Sequence, residues 1–303
     1  MKNETSQSQF ILLGLSDVSY FRIPLSFLIL LIYMSSVTGN LLIIFVVATD
    51  THLKTPMYFL LGNLSVLDIL TPSVSVSHFS YDVFTGNKFI SHSTCISQVF
   101  FFVCLVCIEV FLLAVMAYDR YVAICHPLHY TTMVNLLLCV KLMSSICVFS
   151  SVYSLVHTLC LIRLVFCDSI IIIPGFFCEL HQLLQLACSD TSLNILLVCL
   201  LGIGFPFFAF SLTFLSYVFI FRAILIIKIL EGKLKAFSTC SSHLTVVFIF
   251  YSTCYFNYFH PKTNEFVFGR ILSVIYTIVS PLLNPVIYSL RNNELKAAIS
   301  RAL

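Results

Sequence analysis

Four polar side chains stand in the middle of long apolar runs: Asn40, Asp68, Glu109 and Asn284. A charge at the centre of a bilayer costs on the order of 2.5–3.5 kcal/mol, so each needs a partner or a task. Gathered together they can form one polar cluster, satisfied by mutual hydrogen bonds, water or a cation. Such a cluster serves as glue between helices or as a sodium or proton site near Asp68 and Glu109, and the residues alone leave both readings open. No cysteine or histidine spacing suggests a site for another metal, and no nucleophile–base pattern suggests an enzyme. Asp119-Arg120-Tyr121 closes the third apolar run. An Arg beside an Asp at a helix end pairs locally or releases to meet a partner, which is the kind of two-state element a switch needs. In Asn284-Pro285-Val286-Ile287-Tyr288, Pro285 frees a backbone carbonyl and kinks its helix, permitting a hinge.

These residues need apolar elements to hold them. The chain has 303 residues, 59% hydrophobic and 10% charged, with a mean hydropathy of +1.03. A soluble domain carries about 25% charged residues, so a soluble enzyme is excluded. The net charge of +3 is too small to point to nucleic acid. Seven runs are long enough to span as helices, at residues 23–49, 56–79, 95–124, 139–161, 193–227, 236–259 and 271–290. The expected architecture is all-α, a polytopic membrane protein folded as a single seven-helix domain over residues 1–303. Residues 1–22 form a polar tail at one end and 291–303 a short tail at the other.

Lysine and arginine set the orientation. With the N-terminus outside, Lys54, Arg120, Lys141, Arg222, Lys228, Lys233, Lys235, Arg291, Lys296 and Arg301 fall inside. Only Lys2, Arg22, Lys88, Arg163, Lys262 and Arg270 fall outside. The sequon at Asn3 agrees, lying in the outer tail as a glycosylation acceptor, whereas the one at Asn63 falls within a span. The first run lacks a charged n-region and is too long for a signal peptide, so it is expected to stay as an anchor. Of thirteen cysteines, Cys95, Cys167, Cys178 and Cys188 fall at the outer face, where three pairings are possible. In each of them one bridge ties the loop at residues 162–192 to the third helix.

The run Met116-Ala117-Tyr118-Asp119-Arg120-Tyr121-Val122-Ala123-Ile124-Cys125-His126-Pro127 resembles the signature of olfactory receptors, within the rhodopsin-like G-protein-coupled receptors. Lys235-Ala236-Phe237-Ser238-Thr239-Cys240-Ser241-Ser242-His243, Pro56-Met57-Tyr58, Ser216-Tyr217 and Pro281-Leu282-Leu283-Asn284-Pro285 are similar to further motifs of that family. The resemblance covers the whole chain. It implies a small volatile ligand bound from the outer side and a stimulatory, olfactory-type G protein activated inside, raising cAMP, with no cofactor. It also implies a multi-pass plasma-membrane location in sensory cilia. It pairs Cys95 with Cys178 and Cys167 with Cys188. It makes Arg120 the residue that engages the G protein, with Asp119, Tyr121, Tyr217, His243, Asn284, Pro285 and Tyr288 as switch residues. Asp68 and Glu109 become the polar core beneath the ligand. One departure bears on the lid over the ligand: Pro174-Gly175 precedes Phe176-Phe177-Cys178 where the family often has His before Phe-Phe-Cys.

By the same resemblance the cavity is lined by Phe102, Val103, Val106, Cys107, Leu180, Gly202, Phe205, Tyr251, Cys254, Tyr255, Tyr258, Val274 and Thr277. The set is mostly apolar, as small-molecule cavities are, with Tyr258 and Thr277 as the expected hydrogen-bond partners. Residues 95–106 contain no acid to anchor an amine, and residues 271–290 no lysine for a retinal Schiff base. A neutral volatile fits best. Glu179 in the outer loop is expected to cap a neighbouring backbone group. The rival class, a transporter, lacks the internal repeat commonly found there.

Overall fold

The computed structural model describes every residue except 1–8, 15–18, 227–229, 260–272 and 303. Within helices it leaves out the side chains of 19–22, 230–232, 234–236, 238–239, 256–259 and 291. Apolar runs of this length must satisfy every backbone group internally, and the helix does so within one segment. The main helices are α1 (Ser19–Thr49), α2 (Pro56–Thr85), α3 (His92–Cys125), α4 (Leu136–Ile162) and α5 (Ser192–Ile226). These five are long and apolar enough to cross a membrane. They are followed by α6 (Leu230–Phe259), α7 (Ile275–Val279 continued by Ser280–Arg291) and the short α8 (Asn293–Ala302).

Local chemistry sets the helix ends. Pro56 opens α2, where its missing N–H costs nothing. Gly86 closes it in the left-handed region, φ 71°, a conformation that glycine adopts without strain. Ser91 and Asn135 cap α3 and α4 by accepting from the backbone N–H three residues on. Asn292 does the same for α8, accepting from Glu294 and Leu295 at 3.1 Å each. Two stretches are wound as π-helix, Val198–Ile203 in α5 and Ile275–Val279 in α7. In α7 the cause is legible: Pro281 has no N–H to offer Thr277, and the ladder widens just before it.

The helices pack round α3. More than half of its most apolar window is buried (56%), against 6% for the peripheral α5. At the α3 N-terminal end, three strands form a sheet of order β2-β1-β3: β1 (Gln9–Leu12) lies between β2 (Phe89–Ile90), antiparallel, and β3 (Ile170–Ile173), parallel. Part of the expected N-terminal tail, Gln9–Leu12, is thus a strand. Phe10 and Leu12 alternate with Gln9 and are fully buried, which makes this stretch a strand rather than a solvated leader. Phe10 stacks on His92 at 5.6 Å.

Candidate functional site

The sheet end of the bundle is fastened repeatedly. Cys95 of α3 is bonded to Cys178, and Cys167 to Cys188, with Cα separations of 5.5 and 6.0 Å. Gln98, one turn along α3, accepts from the backbone N–H of Cys178 at 2.8 Å and donates to the Val74 carbonyl of α2 at 2.8 Å. Glu179 stands just before the short helix Leu180–Leu186 and makes no side-chain cap bond to it. It accepts from Ser273, just before α7, at 2.9 Å. Phe177 packs on Phe102 at 4.9 Å, and Phe102 and Phe250 each meet Tyr276 at about 6 Å. Sequence reasoning passed over Gln98, although a lone amide in an apolar outer half is a signal for it.

The residues expected to line a cavity divide. Phe102, Val106, Tyr251, Cys254 and Val274 belong to one buried cluster at the centre, while Val103 and Leu180 pack beneath the sheet. Cys107 is buried and faces Ser150 of α4. Gly202 and Phe205 also turn toward α4: a Cβ on Gly202 would lie 3.4 Å from the Tyr153 hydroxyl, and Phe205 meets Phe149 at 5.0 Å. Tyr255 is 61% exposed. Thr277 is fully buried, but its hydroxyl donates to the Ser273 carbonyl of its own helix at 2.7 Å. The oxygen keeps its lone pairs as acceptors. The side chain of Tyr258 lies outside the described residues, as do Asn3 and Lys228.

The expected single polar cluster is split. Asn284 donates to both oxygens of Asp68, at 2.9 and 3.0 Å. Glu109 is buried and lies within electrostatic reach of Asp68. Asn40 turns away and donates to the Pro281 carbonyl at 3.1 Å. That carbonyl is the one Pro285 leaves without its helical donor, so Asn40 repairs the kink instead of joining the carboxylates. Gly39 lets α1 approach: a Cβ there would meet Pro285 at 3.4 Å. Among the described residues no group of three His, Cys, Asp or Glu could hold a metal ion.

At the other end, Asp119 accepts from Tyr130 at 2.8 Å, and Arg120 donates to the sulfur of Met57 on α2. Successive helical residues do not share a face, so the two charges point to different neighbours, and no ion pair joins them among the described residues. The Tyr217 hydroxyl of α5 and Nδ1 of His243 on α6 are 2.6 Å apart, with the rings stacked. Tyr121 packs with Ile220, Ile224 and Cys240 and bonds His126 at 3.1 Å. Tyr288 is buried, its hydroxyl without a hydrogen-bond partner among the described residues. The Arg120 charge acts electrostatically on Tyr217, His243 and Tyr288 together, so residues far apart in sequence converge on one buried guanidinium.

The comparisons agree with this arrangement. Residues 29–303 match the family model described as Olfactory receptor. The chain is 43% identical to human Olfactory receptor 1C1, covering all of this chain and 96% of that one. It is 45% identical to gorilla Olfactory receptor 1G1 over the same shares. Squid rhodopsin has the same fold, with a TM-score of 0.66 over 93% of this chain and 85% of that one, at 15% identity. Receptors of this kind signal and are not enzymes, and they are multi-pass membrane proteins. A seven-helix bundle with these relatives over its whole length belongs to the olfactory receptor family.

Proposed function

We propose that the chain is an odorant receptor that binds a small neutral volatile in the sheet-side half of the bundle and activates a stimulatory, olfactory-type G protein, raising cAMP. The sheet end with the N-terminus faces outward and the Arg120 end faces the cytosol, with Asn3 glycosylated and the receptor carried to sensory cilia. One observation carries the reading: Arg120 is buried at the junction of α2, α3, α5 and α6 beside the Tyr217–His243 pair. A ligand that favours the conformer with α6 moved away exposes this guanidinium, and its differential affinity sets the size of the shift. Lys233, in the first turn of α6, and the neighbouring basic residues then face the G protein or the anionic leaflet. Asp68 with Asn284, and Glu109 beside them, form the polar core through which the shift passes, and a sodium ion near the two carboxylates is compatible with their charge.

The test is cAMP in cells co-expressing the olfactory-type G protein, with wild type and Arg120→Ala at matched surface levels against a panel of neutral volatiles. A dose-dependent signal lost in Arg120→Ala is expected. Normal signalling from the well-expressed variant overturns the coupling scheme.

A further inference from the structure

Several buried hydroxyls in this bundle bond back to their own helix. Thr158, Thr213 and Thr277 each donate to the carbonyl one turn back, which meets the demand of a hydroxyl in an apolar surrounding. On α4, Nε2 of His157 is buried, at 2% exposure, and has no hydrogen-bond partner among the described residues, while Ser150, at 0%, faces the Cys107 thiol. They lie seven residues apart, about 10 Å along the helix and on one face. Ser154, on the same face, donates to the Phe100 carbonyl of α3, so this face looks into the bundle and not at lipid. An unpaired polar atom in such a place costs the full desolvation of that group. Such an atom is a reason to look for a ligand group that meets it.

The surroundings are shaped for one. The His157 ring meets Tyr153 at 4.6 Å, and Phe205 of α5 flanks Tyr153 at 6.3 Å. Opposite the Tyr153 hydroxyl, α5 presents Gly202, where a Cβ would lie only 3.4 Å from that hydroxyl, and α5 is wound there as π-helix. Three of these positions, Cys107, Gly202 and Phe205, are ones the family resemblance places in the ligand cavity, yet all three turn toward α4.

We propose that His157 is the hydrogen-bonding anchor for the volatile ligand, at a subsite between α3, α4 and α5, and that the ligand class is the neutral alcohols. The inference rests on the reading of the sheet-side half as the ligand site and deepens it. Among the described residues no partner fixes the tautomer at Nε2, so the ring either donates or accepts there. A hydroxyl answers both tautomers, whereas a ketone answers only the donor. α4 carries no charge beyond Lys141 near its start, so an ionised ligand finds no counter-charge on it. The carbon chain of the alcohol lies along Tyr153 and Phe205.

The experiment uses the full receptor in lipid nanodiscs and reads ligand-induced shifts in Tm across concentration. The probes are primary alcohols from hexanol to decanol, with ketones and alkanes of matching skeleton. Wild type should bind an alcohol about tenfold more tightly than its alkane, the worth of one net hydrogen bond. His157→Leu should bring the two to parity, and His157→Gln, which keeps a donor and an acceptor, should restore part of the preference. A folded His157→Leu that retains the preference overturns the assignment, as does a wild type that no alcohol stabilises. The two readings fail separately. His157-dependent binding without cAMP leaves the anchor standing and removes the coupling, whereas cAMP with an unchanged preference in His157→Leu does the reverse.

Discussion

The two ends of the bundle are held by different kinds of bond. At the sheet end, two disulfides, three strands, Gln98 and the Glu179–Ser273 bond tie the loops to α2, α3 and α7. At the Arg120 end, α5 and α6 meet through the Tyr217–His243 bond at 2.6 Å and a small apolar cluster. A covalent end cannot exchange partners on the timescale of signalling, whereas single hydrogen bonds near a buried guanidinium can. The difference suits a molecule that holds a ligand at one end and rearranges at the other.

The comparison breaks first at the disulfides. Replacing Cys95 with Ser opens a bridge spanning 83 residues and should cost about 2–5 kcal/mol, read as a fall in Tm and in surface expression. If it costs no more than the loss of one hydrogen bond, the sheet end is not the fixed one. Asn284→Leu comes next. It strands the buried Asp68 carboxylate and should cost about 2–3 kcal/mol, and Asp68→Asn in the same chain should recover part of it. Tyr217→Phe removes only the hydroxyl bonded to His243 and should lower stability by about 1 kcal/mol. A loss as large as that of Cys95→Ser would mean the Arg120 end is fastened as firmly as the other.

The smallest effect concerns α8. Arg301 pairs with Asp50 after α1. Its guanidinium hydrogen bond, and then the His52 N–H, hold the Asp50 carboxyl below the usual carboxylate range. A depressed folded pKa means the latch is fully present above the unfolded value, about 3.9, and is lost as pH falls through the folded one. Hydrogen-exchange protection of α8 should therefore be flat from neutral to mildly acidic pH and fall only in the carboxylate range. In Arg301→Ala that dependence should shrink, and a drop near pH 6 would assign the latch to another group.

How much of this was legible follows from the physics of each signal. Long apolar runs and the charges ending them mark the spans, and Asp119-Arg120-Tyr121 and Asn284-Pro285 mark the switch, because intramembrane polar residues are rare enough to carry information. β1 was not legible: four residues pair with strands about 80 and 160 positions away, and no local pattern announces partners so distant. The facing of α5 was hidden for a different reason. A helix apolar on all sides has no polar stripe to set its rotation, so only the structure shows Gly202 and Phe205 turned toward Tyr153. Thr277 and Asn40 show the same limit, since their bonds to backbone carbonyls leave no mark on side-chain spacing.

The most direct measurement places a fluorine reporter at each end by substituting trifluoromethyl-phenylalanine for Phe237 on α6 and, separately, for Phe89 in β2, both exposed. Fluorine spectra of the receptor in nanodiscs are then recorded with and without a binding alcohol. The account predicts a shifted or split resonance at Phe237 and an unchanged one at Phe89. A resonance that moves at Phe89 while Phe237 stays fixed would contradict it.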